Sequence, residues 1–386
     1  MPEPTDQPSS STERVQARRC CGSVSFRRVF QLLMFAALVL VLPAMSLSAT
    51  PPALIRFNLN GHLQTGLELI RIGKESVVIG RDGALHSLDP RDSNEYLGRA
   101  KGEYEPLGSA ELANRLRREF GDRFEVVATK HFLVVQPKGR GRKWPDLFEQ
   151  SHQIFVRYMT QRGVHVRRGR FPMVAVVFPD SRSMYREFAR LGLDVSRVAG
   201  IYSNNTNRVM THDSGHIQMI VATVRHEAAH QSGFNSGVHS RVNDTPRWVT
   251  EGIGQLFEPA AMGNVRAGSD SRSRINRESL HQLTKTYGRF DNTTFARDLR
   301  RLVIDDRLFD GEPSIGNAYA IAWAMMFYLA EREPQQFASI LNHTAGRPAF
   351  KTYERHERIA DFERIVGGST ADFAKKLAAY LRHLQG

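Results

Sequence analysis

Five residues, His226-Glu227-Ala228-Ala229-His230, set two histidines four positions apart in an apolar stretch running from Ile217 to Ala229. Val221, Val224, Ala228 and Ala229 around them predict a helix buried on most sides. On a helix, positions i and i+4 share a face, so both imidazoles can reach one ion at about 2.0–2.1 Å. A carboxylate buried without compensation is costly, and a cation removes that cost. Glu227 is turned about 100° around the helix axis from His226. That offset puts it beside the ion, where it can take a proton from metal-held water rather than ligate. Gly233 is the expected stop of this helix.

A catalytic zinc site takes three protein ligands and keeps one position open. A third histidine in the spacing HExxHxxGxxH fails here, because position 236 is Ser236 and His239 falls three residues late. The alternative is a carboxylate on a second helix, and Glu251 supplies it, 21 residues after His230. Asp244 or Thr245 is the expected cap of that helix, Pro246 suits its first turn and Pro259 ends it. Gly252 and Gly254 are poor helix formers. Their expected use is close approach to the first helix, bringing Glu251 to the ion. Gln255, one turn past Glu251, either orients a ligand or faces solvent. Glu258, two turns past, is expected to be exposed. His212 and His216 read as structural or exposed histidines rather than a second metal site.

The string His226-Glu227-x-x-His230 followed by Trp248-x-x-Glu251-Gly252-x-Gly254 resembles the gluzincin branch of zinc peptidases, the group of thermolysin and aminopeptidase N. It resembles more closely the bacterial peptidase-MA-like domain family of unknown function, in which Asp244-Thr245-Pro246-Arg247-Trp248 has its counterpart. The likeness covers about residues 110–340. It implies that His226, His230 and Glu251 hold Zn2+, and that Glu227 serves as general base and then general acid. It also implies a downstream oxyanion partner, for which Tyr319 is the candidate. Packing of Tyr319 against Trp323 and Met326 in the core is an equal reading. Gly254, where the family commonly has alanine, departs from the pattern.

The N-terminus indicates destination. Arg14, Arg18, Arg19, Arg27 and Arg28 precede an apolar run from Leu32 to Leu42, Pro43, and small residues to Ala49. Residues 1–49 therefore read as a signal peptide, or as a membrane anchor through residues 29–49 if retained. Either way the main body is exported, to the periplasm, cell surface or medium. The only cysteines are Cys20 and Cys21, so disulfides and thiolate metal sites are excluded from the main body. The net charge of +13 favours an anionic cell-envelope polymer beside a peptide or protein substrate. No nucleic-acid partner is expected, since no zinc-finger or RRM signature accompanies the charge.

The fold class expected is α+β. Short alternating runs over residues 54–90, separated by turn residues, predict a small β-barrel-like module or a β-meander. Residues 91–108 read as a linker. Residues 109–386 read as a zincin-like peptidase domain, a mixed sheet with the HExxH helix beneath it and then a helical lobe. Within it, a strand pair around an Asn-rich turn is expected over 201–211, where a peptide substrate could lie. The expected function is that of a zinc-dependent metallopeptidase-like hydrolase. The alternative is a zinc-stabilised envelope binding protein without catalysis.

Overall fold

Alternation of two apolar sets along single strands organises the centre of the molecule. Strand β7 (Phe132–Pro137) sends Leu133 and Val135 to one face of its sheet and Phe132 and Val134 to the other. Strand β8 (Met173–Phe178) is buried along its whole length and divides its side chains in the same way. Period-two alternation of this kind requires cover on both faces. Helices α1 (Ser109–Phe120) and α3 (Ser181–Arg190) cover one side through Leu112, Leu116, Met184 and Phe188. Helices α2 (Lys143–Gln161) and α4 (Ile217–Ser236) cover the other through Trp144, Phe148, Val224 and Ala228.

The computed structural model describes residues 52–59, 61–192, 198–264, 271–290, 293–311 and 314–385. The expected export segment, residues 1–49, lies outside them. Among the described residues no helix is long and apolar enough to cross a membrane. The described residues form a mixed α+β structure with two five-stranded sheets and eleven α-helices.

The central sheet runs β6-β7-β8-β10-β9, with β6 at Phe124–Ala128, β9 at Gly200–Ser203 and β10 at Arg208–His212. β7, β8 and β10 are parallel, while the outer strands β6 and β9 are antiparallel to their neighbours. The expected strand pair at 201–211 is the β9–β10 hairpin. Asn207 takes the left-handed conformation in its turn (φ 58°), as short polar side chains tolerate.

From α4 onward the chain is helical. Helix α5 (Arg247–Phe257) packs against α4 and against α8 (Ile315–Arg332). Thirteen of the residues of α8 are buried, so α8 is the axis of the helical lobe. Helices α6 (Arg277–Tyr287), α7 (Thr293–Ile304), α9 (Pro334–Ala345), α10 (Arg355–Val366) and α11 (Thr370–Gln385) add to the same core through Leu283, Leu299, Phe337, Phe362 and Leu377.

Four expectations need correction. The N-terminal module is an open antiparallel sheet whose first four strands pair in chain order, the meander of the two forms expected and not the barrel. Its order is β4-β3-β2-β1-β5, and β4 and β5 end the sheet without pairing. The strands are β1 (Ala53–Leu59), β2 (His62–Ile72), β3 (Glu75–Gly80), β4 (Leu85–Leu88) and β5 (Tyr96–Arg99). The sheet stays open because its two edge strands, β4 and β5, do not pair with each other. The expected linker is partly structured, since β5 pairs with β1 and extends the module past residue 90. Helix α4 does not stop at Gly233 but runs to Ser236 and ends on Gly237 in the left-handed conformation. Finally, neither Asp244 nor Thr245 caps α5. The side chain of Asp306, from the far end of the lobe, accepts the Arg247 N–H instead at 3.0 Å.

The guanidinium of Arg241 joins the β module to the turn between β9 and β10. Arg241 donates from Nη1 to Gly83 O at 2.6 Å, from Nε to Asn204 O at 2.8 Å, and from Nη2 to Asn204 O and Asn205 O. Leu85 N adds a bond to Asn205 O at 2.7 Å. Gly83 is required at this seam, with φ at +84° and a Cβ position only 2.9 Å from the Phe171 ring. Removing Arg241 strips three carbonyls of charged donors. Arg241→Ala is expected to cost about 2 kcal/mol and to expose the 81–85 turn to protease. Thermal melts and limited proteolysis read both effects; an unchanged melt with an uncut turn counts against the tie.

Candidate metal centre

Helix α4 carries His226 and His230 on the face turned toward α5, and α5 carries Glu251 toward α4. His226 Nε2 and His230 Nε2 stand 2.9 Å apart. Glu251 Oε2 lies 3.5 Å from the first and 3.6 Å from the second. All three side chains are at most 2% exposed. Among the described residues this is the one group of three or more His, Cys, Asp or Glu side chains whose ligand atoms converge, all within 4.8 Å of one another. His212 joins no such group; its Nδ1 accepts from the Ser214 N–H.

The chemistry of the donor set suits a divalent cation. Glu251 Oε2 is buried and makes no hydrogen bond, although a buried carboxylate oxygen normally has a partner. Two imidazole nitrogens and one carboxylate oxygen form a borderline set of the kind zinc takes. Burial opposes charge on Glu251, but the imidazoles of His226 and His230 outweigh it and hold the carboxyl well below the usual carboxylate range. Burial likewise opposes charge on His230, and Glu251 overcomes it, so that imidazole is raised above its ordinary value.

Glu258 corrects the sequence reading most clearly. It is not exposed but 6% accessible, and its Oε1 accepts from His226 Nδ1 at 2.9 Å. That bond places the imidazole proton on Nδ1 and leaves Nε2 with its lone pair toward His230 and Glu251. Glu258 is itself held by Gln255 Nε2 at 3.0 Å and Asn276 Nδ2 at 3.0 Å. Gln255 therefore takes the orienting role, through Glu258 rather than through a ligand. The signal in sequence was the spacing: Glu251, Gln255 and Glu258 fall at i, i+4 and i+7 of one helix face.

The two glycines of α5 act on different neighbours. A Cβ at Gly254 would sit 2.5 Å from Cε1 of His226, so this residue admits the ligand ring itself. A Cβ at Gly252 would meet Ala322 O at 2.5 Å, so that residue admits the backbone of α8 rather than α4. The departure at Gly254 is thus matched to the position of His226. Gly233 inside α4 does the same for His239, whose Cδ2 would stand 2.8 Å from a Cβ there. His239 is buried, and neither of its ring nitrogens has a hydrogen-bond partner.

Glu227 is buried beside the ligands, and its Oε2 accepts from Tyr202 N at 2.7 Å. The edge strand β9 thereby touches the centre. Tyr319 lies in α8 with its ring edge-on to Phe309 at 5.3 Å. It is within electrostatic range of Arg247, and it is buried. A cleft of about 810 Å3 opens over the centre, lined by His230 and Glu251 together with Tyr202, Asn204 and Asn205.

A family model described as "Protein of unknown function (DUF1570)" matches residues 220–351. The match holds both histidines, Glu227, Glu251, Glu258 and Tyr319. It is compatible with the peptidase-MA-like resemblance. No curated protein matches the chain.

Two outcomes are expected. Gly254→Ala pushes the His226 ring off its place and should weaken zinc binding by on the order of tenfold or more. Chelator competition measures this, with circular dichroism to check that the helices persist; unaltered affinity would remove the glycine from the site. The second concerns acid. Burial, then the neighbouring His230, lower His239 from the ordinary imidazole value of 6.5 to about 3. The unfolded chain takes up this proton below 6.5 and the folded chain does not. Stability from this group is therefore complete above 6.5 and is lost as pH falls toward 3. In metal-free protein, His239→Phe should flatten the stability–pH curve across that window by about one proton, read from urea midpoints.

Proposed function

We propose that this chain is an exported zinc-dependent hydrolase of the metallopeptidase type, with a zincin-like arrangement in residues 109–386. The observation that carries the reading is the convergence of His226 Nε2, His230 Nε2 and Glu251 Oε2, with His230 and Glu251 in the wall of a large cleft and Glu227 next to His226 on the same helix. His226, His230 and Glu251 would hold the ion, which supplies a Lewis acid and brings the pKa of water toward neutrality.

The remaining work belongs to side chains already in place. Glu258 keeps the His226 lone pair aimed inward. Tyr202 N–H fixes one oxygen of Glu227, so that the carboxylate can take a proton from the attacking water and hand it to the departing amine. A base is needless in a purely structural zinc site, so Glu227 favours the enzyme over the binding protein. A peptide substrate lying along the outer strand β9 would pass the centre, because Tyr202 and Ser203 of that strand line the cleft. Tyr319 is the proposed oxyanion partner, on the resemblance alone. Six acidic and six basic side chains line the cleft. It therefore offers no cationic track to an anionic envelope polymer, and a peptide is the better fit. Export rests on the Arg-flanked apolar run within residues 1–49.

The test pairs metal analysis with a broad peptide-library digest of wild type and Glu227→Gln. Both proteins are expected to carry about one zinc. Cleavage by the variant should fall by at least about a hundredfold. Equal cleavage by both would remove Glu227 from its role, and zinc-loaded wild type without any cleavage would defeat the hydrolase.

A further inference from the structure

The cations of the cleft are not equivalent. Arg358 spends every nitrogen within the protein, on Tyr353 O, Asp306 and Asp244. Arg241 is bound by backbone carbonyls. Arg355 pairs with Asp305 at 2.9 Å, and Arg307 faces the same carboxylate. Lys351 is exposed at the margin. Arg247 is different. Its side chain is 19% accessible and lines the cleft. Of its guanidinium nitrogens only Nη1 has a hydrogen-bond partner among the described residues, Asp310 at 3.2 Å, and Asp310 is 49% exposed on the rim. Nε is buried with no partner. The group lies over the Phe309 ring, Cζ 4.6 Å from the centroid, a cation–π contact that holds it in place.

Position completes the case. Arg247 precedes Glu251 by four residues, hence shares its helix face and lies about 6 Å from it along the axis. An extended peptide advances about 3.3–3.6 Å per residue, so a group held at Arg247 sits about two residues from a bond at the metal centre. A planar guanidinium with unused donors, held in a cleft, matches a carboxylate in geometry and charge.

Resting on the hydrolase reading above, we propose that Arg247 is a specificity-determining residue that takes a carboxylate of the substrate close to the scissile bond. The carboxylate comes from a free peptide C-terminus or from an acidic side chain. Asp310 occupies the guanidinium in the absence of substrate and is displaced by it.

The experiment measures binding as well as turnover. Calorimetry compares N-acetyl-tetraalanine, its C-terminal amide, and an amide of the same length with an internal glutamate, on metal-free and zinc-loaded protein. Wild type is expected to bind at least one carboxylate peptide about tenfold tighter than the plain amide. Preference for the free terminus alone assigns the C-terminal carboxylate, and preference shared by the glutamate peptide assigns a side chain. Arg247→Gln should abolish the preference with zinc stoichiometry intact, and Asp310→Asn should strengthen carboxylate binding several-fold. Equal affinity for all three peptides, or a preference surviving in Arg247→Gln, overturns the proposal. If Arg247→Gln does not fold, Asp310→Asn decides, and unchanged or weaker binding overturns it. Carboxylate preference without turnover would keep Arg247 in this role while removing the hydrolase. Turnover without preference would do the reverse.

Discussion

The distance between α4 and α5 governs everything at the centre. Two helices with ordinary side chains at their contact lie 8–10 Å apart, and a ligand ring caught between them needs room on the facing helix. Gly254 makes that room, since its missing Cβ position coincides with the His226 ring. Gly252 lets the other side of α5 settle on the α8 backbone. Only with α5 seated on both neighbours does the Glu251 carboxylate come within 3.6 Å of both imidazoles. Each glycine costs helix propensity of about 1 kcal/mol relative to alanine, a local loss that the packing around Trp248, Val249 and Ile253 offsets.

The electrostatics follow from that closeness. Three carboxylates and two imidazoles, Glu227, Glu251 and Glu258 with His226 and His230, are buried together, and a fourth carboxylate, Glu331 of α8, is half-buried. They are not handled alike. Glu331 is neutralised by Arg162 and Arg274, which makes it a structural pair far along α8. Glu258 is dressed by a histidine, a glutamine and an asparagine. Glu227 is anchored to the strand backbone at Tyr202. Glu251 alone keeps an oxygen without a hydrogen bond, and that oxygen faces the imidazole nitrogens. The same reasoning that explains the stability of the first two explains why the last calls for a cation.

Much of this was legible in the sequence, and the limits have physical causes. The buried strand at 173–178, helix 109–120 and the switch to all-helix after 217 follow from hydrophobic period alone. Ligand spacing at i and i+4 is a local property, so His226 and His230 could be read directly. Glu251 was readable from its place on a second helix 21 residues past His230, and the two glycines beside it fitted a close approach of that helix. Glu258 was misjudged, because a glutamate two turns along looks solvated until the neighbour that covers it is known, and Asn276, the N-cap of α6, supplies that cover. The cap of α5 was misassigned for the same reason: a local Asp244 competes with Asp306, 62 positions later, and Asp244 is drawn off to Tyr353 N and Arg358. Gly233 looked like a stop because a glycine that admits a ring and one that ends a helix are alike in sequence. The barrel failed because strand count and closure are not encoded in alternation.

The bridge made by Arg358 bears on how this chain can be divided. Its two carboxylate partners, Asp244 and Asp306, both fall inside the segment matched by the family model, whereas Arg358 lies beyond residue 351. Helix α4 in turn rests on sheet residues from 132–209, and α8 on Phe373 and Leu377 of α11. The segment that similarity picks out is therefore shorter than the unit able to close its own interior. A fragment trimmed to that segment would bare both flanks of the centre, so any recombination that moves this chemistry onto another chain has to carry the sheet and the last two helices along with it.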